Sequence, residues 1–331
     1  MHLPTLVPSR LALTCTLGLA LAAGAIALVH AQSYPARTIK LVVPFGPGGP
    51  TDVAARVVAQ MVQSALGQSL VIENRPGAGG ATGTRSVAGA EPDGYTLAIG
   101  TSATLGVVPA LVKSPGYDPL KSFVPVAKIA DSTTILIVPP NFPPNSIREL
   151  IAYAKANPGK LSYASAGAGN QTHLAAELLK ARAGIDAVHV PYKSGAEMVT
   201  AVLSEQVQMS FPDISILLAL IQERKVKALA VTSATRHPQL PDIPTMAESG
   251  ISDYVTTFWT GVIAPAGTPA SIVDRLNAAI SSGLNSPQVR ETLAKVGAQP
   301  NPGSPQDFAN FIAAETKKWS AIAKTSGISP E

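Results

Sequence analysis

Pro44-Phe-Gly-Pro-Gly-Gly-Pro-Thr-Asp52 and Ser165-Ala-Gly-Ala-Gly-Asn-Gln-Thr-His173 are the two segments whose reading decides the fold. Each follows a short apolar run of strand character, Ile39 to Val43 and Leu161 to Ala164, and each opens a helical pattern. A strand, a glycine turn and a helix start together present unpaired backbone N–H groups at the positive end of a helix dipole, which suits an anion. Two such turns predict two lobes that grip one small organic anion between them.

Working outward from the first turn, Val53–Leu66 repeats apolar residues at helical spacing and ends at Gly67, as a C′ glycine should. Leu70–Glu73 and Tyr95–Gly100 read as strands and Ala81–Ala88 as a helix. This alternation predicts an α/β protein built on parallel, doubly wound sheet with helices on both faces. Val124–Val138 is a β-branched run longer than a usual strand, and reads as a crossover to a second lobe. There the alternation restarts, with Ser146 as the N-cap of a helix to Ala156, and the proline-rich stretch His237–Pro244 reads as the return. The expected division is 32–138 plus 232–331 for lobe 1 and 139–231 for lobe 2, with a hinge near 138 and 232. Ligands of open α/β sheets lie beyond the carboxyl ends of the strands, so both glycine turns fall on facing edges.

The first thirty-one residues read as a secretory signal peptide. Arg10 precedes the apolar stretch Leu11–Val29, and Val29-His30-Ala31 puts small residues before a cleavage at Gln32. A membrane anchor is the alternative, since the run is nearly long enough to span. Cys15 is the sole cysteine, so the mature chain has neither disulfide nor thiol chemistry. Removing Arg10 leaves 24 basic against 21 acidic residues, spread singly, and aromatic residues are few. A nucleic-acid surface is not expected. Besides His173 the mature histidines, His189 and His237, are isolated, and with no cysteine and no His-x-x-x-His pair no metal site is expected.

In the first turn Phe45, Pro47, Gly48, Gly49, Thr51 and Asp52 are the candidate contacts. Gly48 and Gly49 let backbone approach a ligand, Pro50 suits a first helical turn, and Thr51 or Asp52 can cap orphan N–H groups. In the second turn the candidates are Ser165, Ala166, Gly167, Asn170 and Thr172, with Gln171 beside them. Neither turn carries Lys or Arg, so neutral dipoles and bridging water must hold the anion. Thr101-Ser102 ends a lobe-1 strand at the same edge. Asp213 ends a lobe-2 strand and serves either as the N-cap of the helix from Ile214 or as a ligand group. Trp259 and Phe258 belong to cleft wall or core, and Arg75 reads as a structural turn residue with, as the alternative, reach toward an anion at the cleft edge. Nucleotide cofactors are not expected: Gly77-Ala-Gly-Gly-Ala-Thr82 and Gly167-Ala-Gly-Asn-Gln-Thr172 lack the third glycine of a dinucleotide fingerprint, and no P-loop is present. An enzyme would have to use Ser165, His173 and Asp213, yet no Gly-x-Ser-x-Gly elbow surrounds any serine, so no catalysis is expected.

Eight motifs then converge: Tyr34-Pro-x-Arg-x-Ile39, Val43-Pro-Phe-x-Pro-Gly-Gly-x-x-Asp52, Glu73-Asn-Arg-Pro-Gly-Ala78, Pro92-Asp-Gly-Tyr-Thr96, His173-Leu-Ala-Ala-Glu177, Val190-Pro-Tyr192, Leu240-Pro-x-Ile-Pro-Thr245 and Ala264-Pro-Ala-Gly-Thr-Pro269. Together they resemble the Bug family, the solute receptors of tripartite tricarboxylate transporters, along the whole mature chain. The resemblance implies a two-lobed periplasmic binding protein of the type II, Venus-flytrap kind, each lobe a mainly parallel sheet flanked by helices. It implies closure on a small carboxylate, contacts in Phe45–Asp52 and Ser165–Thr172, and ordered water linking one carboxylate to the first loop. It also implies a monomer whose partners are membrane transporter subunits or a membrane sensor. Tyr192-Lys-Ser-Gly195 departs from the family, which more often has glycine directly after the lysine. Which acid is bound does not carry over.

Overall fold

The computed structural model describes residues 34–167, 171–192 and 194–325. The chain divides into two units, Met1–Ala36 and Arg37–Glu331. Only residues 34–36 of the first are described, so the signal-peptide expectation for residues 1–31 lies outside the described residues.

Ile39–Val43 (β1), Leu70–Asn74 (β2) and Thr96–Thr101 (β3) pair in parallel, with β1 in the middle. Ile39, Leu41, Val42 and Val43 are all buried, as a strand covered on both faces requires. Between β1 and β2 runs Pro50–Leu66 (α1), and Ala81–Ala88 (α2) joins β2 to β3. Proline at the first turn of α1 costs no hydrogen bond, because its missing N–H would be an orphan anyway. At the other end Gly67 takes φ 73° and returns its N–H to Gln63 O, a left-handed stop that glycine adopts without a Cβ penalty. Val57, Val58, Met61 and Val62 form the buried stripe between these ends.

The long run that reads as a crossover is two strands belonging to different sheets. Phe123–Thr133 (β4) joins a six-stranded sheet ordered β11-β4-β10-β3-β1-β2, with Thr257–Pro265 as β10 and Ala298–Pro300 as β11. Ile135–Val138 (β5) joins a five-stranded sheet ordered β7-β6-β8-β5-β9. Its other strands are Ser162–Ser165 (β6), Val188–Pro191 (β7), Met209–Ser210 (β8) and Lys227–Val231 (β9). The change of sheet therefore falls at Thr134. Strands β1 to β4 share one direction and β6 to β9 share one, as mainly parallel sheets should. The strands crossing from the other sheet run against them: β10 inserts between β3 and β4, and β5 between β8 and β9. Antiparallel pairing follows from that insertion.

Helices flank both sheets. Ile147–Ala156 (α4) starts at Ser146, whose side chain accepts from Glu149 N, as its sequence predicts. Gln171–Ala183 (α5), Gly195–Leu203 (α6) and the short Leu218–Gln222 (α7) complete the second sheet's cover. The expected helix Ile214–Gln222 is broken: Ile214–Ile216 is a 3-10 turn, and α7 begins two residues later. Val108–Leu111 (α3), Ala270–Leu284 (α8), Pro287–Ala294 (α9) and Pro305–Thr325 (α10) belong to the rest of the chain. Helix α10 is shared between cores. Its Phe308 and Ile312 pack with Val42, Ala98 and Trp259, whereas Trp319, Ile322 and Ala323 pack with Leu136, Tyr163 and Leu174 beside the smaller sheet.

Two close approaches fix that arrangement. A Cβ on Gly106 would sit 2.5 Å from Trp319 Cδ1, and one on Gly261 would run into the Phe308 ring and lie 2.9 Å from Ala127 O. Both glycines are needed because aromatic rings of α10 rest on backbone. Glu315, 6% exposed, accepts from Trp259 Nε1 at 3.1 Å and Trp319 Nε1 at 3.0 Å. Its charge is further met by Lys318, so a buried carboxylate is paired as burial demands. Trp259 is thus core, not cleft wall.

Candidate ligand-binding site

Because β1 and β3 are parallel neighbours, the segments following them emerge at one edge of the larger sheet. The first is the glycine turn. Gly48 sits at φ 84°, a left-handed position, and a Cβ there would meet nothing within 4 Å, so conformation and not crowding selects glycine. Val53 N donates to Gly49 O, the first bond of α1. The N–H groups of Thr51 and Asp52 precede it and have no acceptor within the helix.

Asp52 is only 1% exposed and holds the turn from below. Its Oδ2 accepts from Gly48 N at 3.1 Å and Arg56 Nε at 2.8 Å, while Oδ1 accepts from Asn74 Nδ2 at 3.0 Å. Asn74 Nδ2 also donates to Phe45 O at 3.0 Å. Burial works against the charge, yet the bonds from Asn74, Gly48 and Arg56 outweigh it and hold the carboxyl below its ordinary range. The carboxylate is consumed inside the loop and shapes it. Arg75 is paired with Glu73 at 2.5 Å.

The second segment at this edge follows β3. Ser102–Val107 is a single wide helical turn of the i→i+5 kind, which no periodicity in the sequence announces. Thr101 caps it reciprocally: Thr104 N donates to Thr101 Oγ1 at 3.2 Å, and Thr101 N to Thr104 Oγ1 at 3.0 Å. Thr101 is therefore occupied, and Ser102 is the residue that reaches across. Its Oγ donates to Gln171 Oε1 at 2.5 Å, joining the edge of one sheet to the first residue of α5 on the other. Ser102 is 1% and Gln171 2% exposed.

In the smaller sheet, β6 lies parallel between β7 and β8, so the second glycine turn again leaves a carboxyl edge. Ser165 O accepts from Tyr192 N at 2.8 Å. Ser165 Oγ donates to Gly167 O at 3.0 Å, accepts from Gly167 N at 3.2 Å, and lies 2.6 Å from His189 Nε2. The Ser165 hydroxyl and His189 Nε2 thus share a hydrogen bond whose donor is set by the imidazole tautomer. Ala166 N donates to Thr172 Oγ1 at 2.9 Å, and Gly167 takes φ 116°. Asn170 lies outside the described residues.

Behind this turn is a stack that the sequence does not reveal, because its members come from three separate elements, β6, α5 and β7. The His173 and His189 rings are 3.9 Å apart and nearly parallel, and Tyr163 stacks on His189 at 5.0 Å. Tyr163 OH donates to Glu177 Oε1 at 2.6 Å, which Lys180 Nζ also contacts at 2.8 Å. Burial, then the neighbouring His189, push His173 down to about 4 against the opposing pull of Glu177; burial lowers His189 as well. Two stacked imidazoles that both resist protonation are a neutral, rigid floor.

The three residues an enzyme would need are not assembled as a triad. Ser165 bonds to His189, and Asp213 is engaged elsewhere. Asp213 Oδ1 accepts from Ser215 N at 2.9 Å as the cap of the Ile214–Ile216 turn, and Oδ2 accepts from Ser132 Oγ on β4. Burial raises its pKa against those bonds. Among the described residues no group of three His, Cys, Asp or Glu side chains could hold a metal, and no helix is long and apolar enough to cross a membrane.

Two α/β sheets with glycine turns on their carboxyl edges, joined across those edges, define the two-lobed binding-protein class. The chain belongs to the tripartite tricarboxylate transporter family of receptors, whose family model matches residues 54–328. It is similar to the periplasmic binding protein BugD, at 38% identity and a TM-score of 0.74 over 90% of this chain and all of that one. It is also similar to Rpa4515 of R. palustris, solved with adipate, at 38% identity and a TM-score of 0.77 over 90% of this chain and all of that one. MatC from Rhodopseudomonas palustris, with bound malate, matches at 35% identity and a TM-score of 0.73 over 87% of this chain and 99% of that one.

Proposed function

We propose that this chain is a periplasmic receptor that captures a small organic acid with one or two carboxylates between its lobes and hands it to the membrane subunits of a tripartite tricarboxylate transporter. It does so as a monomer and without chemical turnover. The expected lobes are 32–138 plus 232–331 and 139–231; the switch of sheet at Thr134 puts β5 with the second lobe and moves the first crossing from 138 to Thr134, while the end of β9 at Val231 supports the second crossing near 232. Export rests on the leader of residues 1–31.

The observation that carries this reading is the meeting of two carboxyl edges through Ser102 and Gln171, each edge bearing a glycine turn that leads into a helix. The orphan N–H groups at the start of α1 stand on the edge that Ser102 ties to the head of α5, and a helix start of this kind favours a carboxylate. Phe45, Pro47, Gly48, Gly49 and Thr51 supply the first wall; Ser165, Ala166, Gly167, Asn170 and Thr172 supply the second. Asp52, Thr101 and Asp213 act through the backbone they fix. Adipate and malate, bound by the similar proteins, are the first acids to try.

The test is a thermal-shift and calorimetric panel on residues 32–331 with adipate, malate, amino acids, aromatic acids and neutral sugars. A ligand at 100 times its Kd raises stability by about 2.7 kcal/mol, a shift of several degrees. Stabilisation by acids alone is the expected result; response only to sugars or cations would sink the reading. Ester or amide turnover lost in Ser165→Ala would instead establish an enzyme. Recovery of a membrane sensor, and no transporter subunit, in a ligand-dependent pull-down would move the role to signalling.

A further inference from the structure

His189 reaches the second glycine turn from a strand to which that turn does not belong. It stands on β7, opposite Tyr163 of β6, with its Nε2 2.6 Å from Ser165 Oγ. That hydroxyl has one hydrogen and three partners. Gly167 N donates to it at 3.2 Å, Gly167 O stands 3.0 Å away as an acceptor, and the imidazole is the third. A ring protonated at Nδ1 alone takes the hydroxyl hydrogen for itself and leaves Gly167 O without it. A ring with a proton on Nε2 donates instead, and all three bonds are made; a charged imidazole is always in this second state. The proton count of His189 therefore decides how Gly167, at φ 116°, is tied.

The groups that face this ring come from two elements. From β6, Tyr163 stacks at 5.0 Å, and burial keeps its phenol from ionising. From α5, His173 stacks at 3.9 Å, Glu177 favours the charged ring and Lys180 opposes it. Lys180 is itself paired with Glu177 at 2.8 Å and lies 3.9 Å from Asp186. Burial outweighs these charges and keeps both imidazoles neutral near pH 7. A carboxylate brought to the turn adds a negative charge beside them, and Ser165–His173 contains no Lys or Arg to meet it.

We propose that His189 is a positioning residue of the second turn that couples acid capture to proton uptake: an acid seated there draws a proton onto the imidazole pair, and the charged ring, donating from Nε2, holds Ser165 and Gly167 in the capturing arrangement. This rests on the carboxylate reading of the cleft. Affinity then rises as pH falls, because the bound state holds the proton more tightly than the free one. His173 limits the pair to one proton, since two charges stacked this closely repel.

Calorimetry with adipate and malate, on the chain without residues 1–31, tests this coupling. Titrations in two buffers of different protonation enthalpy give the protons taken up per acid bound, and Kd is followed from about pH 5.5 to 7.5, where histidine titrates. Wild type takes up a fraction of one proton. Its Kd falls about threefold to tenfold as pH is lowered across that range, the scale set by an opposite charge near a titrating ring. His189→Gln keeps an amide donor for Ser165 but does not titrate, so the uptake disappears; its curve also gives the acid's own protonation, to be subtracted. His173→Phe keeps a ring on His189, and the uptake persists. Normal binding by wild type with no proton uptake overturns the coupling alone. Uptake that survives in His189→Gln, or is lost in His173→Phe, overturns the assignment to His189. Failure of wild type to bind either acid, or any other acid of the panel, overturns the carboxylate reading and this inference with it.

Discussion

Thr134 and Thr232, one on each of the crossings between the sheets, lie with their side-chain oxygens 2.7 Å apart. Thr134 links β4 to β5, and Thr232 follows β9. Thr232 N donates to Thr134 O at 3.0 Å, Thr256 N returns to Thr232 O at 3.1 Å, and Thr232 Oγ1 reaches Thr256 O at 2.8 Å. Thr134 and Thr232 are 1% and 0% exposed. A dry cluster of short, directional bonds fixes the crossing point without forbidding rotation of the segments beyond it.

Thr232→Val keeps the shape and deletes the hydroxyl, removing its bonds to Thr134 and Thr256 from a buried cluster. The expected loss is about 1–3 kcal/mol, read as a lower denaturant midpoint with unchanged slope. The double variant with Thr134→Val should lose less than the sum of the singles, since they share one bond. Strict additivity would show that the two hydroxyls do not act together.

Asp52→Asn removes the charge that organises Gly48, Arg56 and Asn74. Stability should fall by about 1–3 kcal/mol, and acid binding by tenfold or more. The second effect distinguishes a loop held for a ligand from a loop held for packing; intact binding in a destabilised protein would argue for packing alone.

The stacked imidazoles give an acid-side pH dependence. His173 titrates near 4 in the folded protein against about 6.5 when unfolded. Between those values the unfolded chain binds a proton that the folded chain refuses, so stability declines as pH falls from about 6.5 to about 4. His189, lowered by burial, adds in the same direction. Asp52, held low, adds a further loss only as pH drops below the ordinary carboxylate range. His173→Phe keeps a ring on His189 and should flatten the melting-temperature profile above pH 4. A variant with the wild-type slope would remove His173 as the cause.

Gly48→Val forces a branched side chain into the left-handed region at a cost of about 1–2 kcal/mol, with open space around it. Folding should survive while acid binding drops at least tenfold. Gly261→Ala is the opposite case: its Cβ meets Phe308 and the Ala127 carbonyl, and overpacking of about 1–3 kcal/mol should appear in unfolding with little change in affinity. Reversal of these two patterns would show that the first turn is structural.

Much of the fold was legible where local chemistry and tertiary context agree. Gly67, Ser146 and the apolar run Ile39–Val43 each announce an element that forms where it should. The Thr134 break was not legible, because Val124–Val138 is uniformly β-branched and the switch of sheet depends on what pairs with each half. Ala298–Pro300 is too short to carry a pattern, and Ser102–Val107 is a turn without a periodic signature. In the candidate site, backbone positions followed from the glycines, but side-chain partners did not. Ser165 meets His189 because β6 and β7 are neighbours in register, with Tyr163 opposite His189. That relation is nonlocal, and it made an apparently isolated histidine the true partner. Gln171 was visible as a loop amide, yet only packing shows that one end is used and the other is not.

Helix α10 enters one core through Phe308 and Ile312 and the other through Trp319, Ile322 and Ala323. A stiff rod embedded at both ends acts as an axle. Any opening that lifted Trp319 from its seat beneath Gly106 would hydrate a large aromatic surface, so the cheap movement leaves it seated and turns about the rod. The two halves of this receptor should swivel with respect to each other more than they gape.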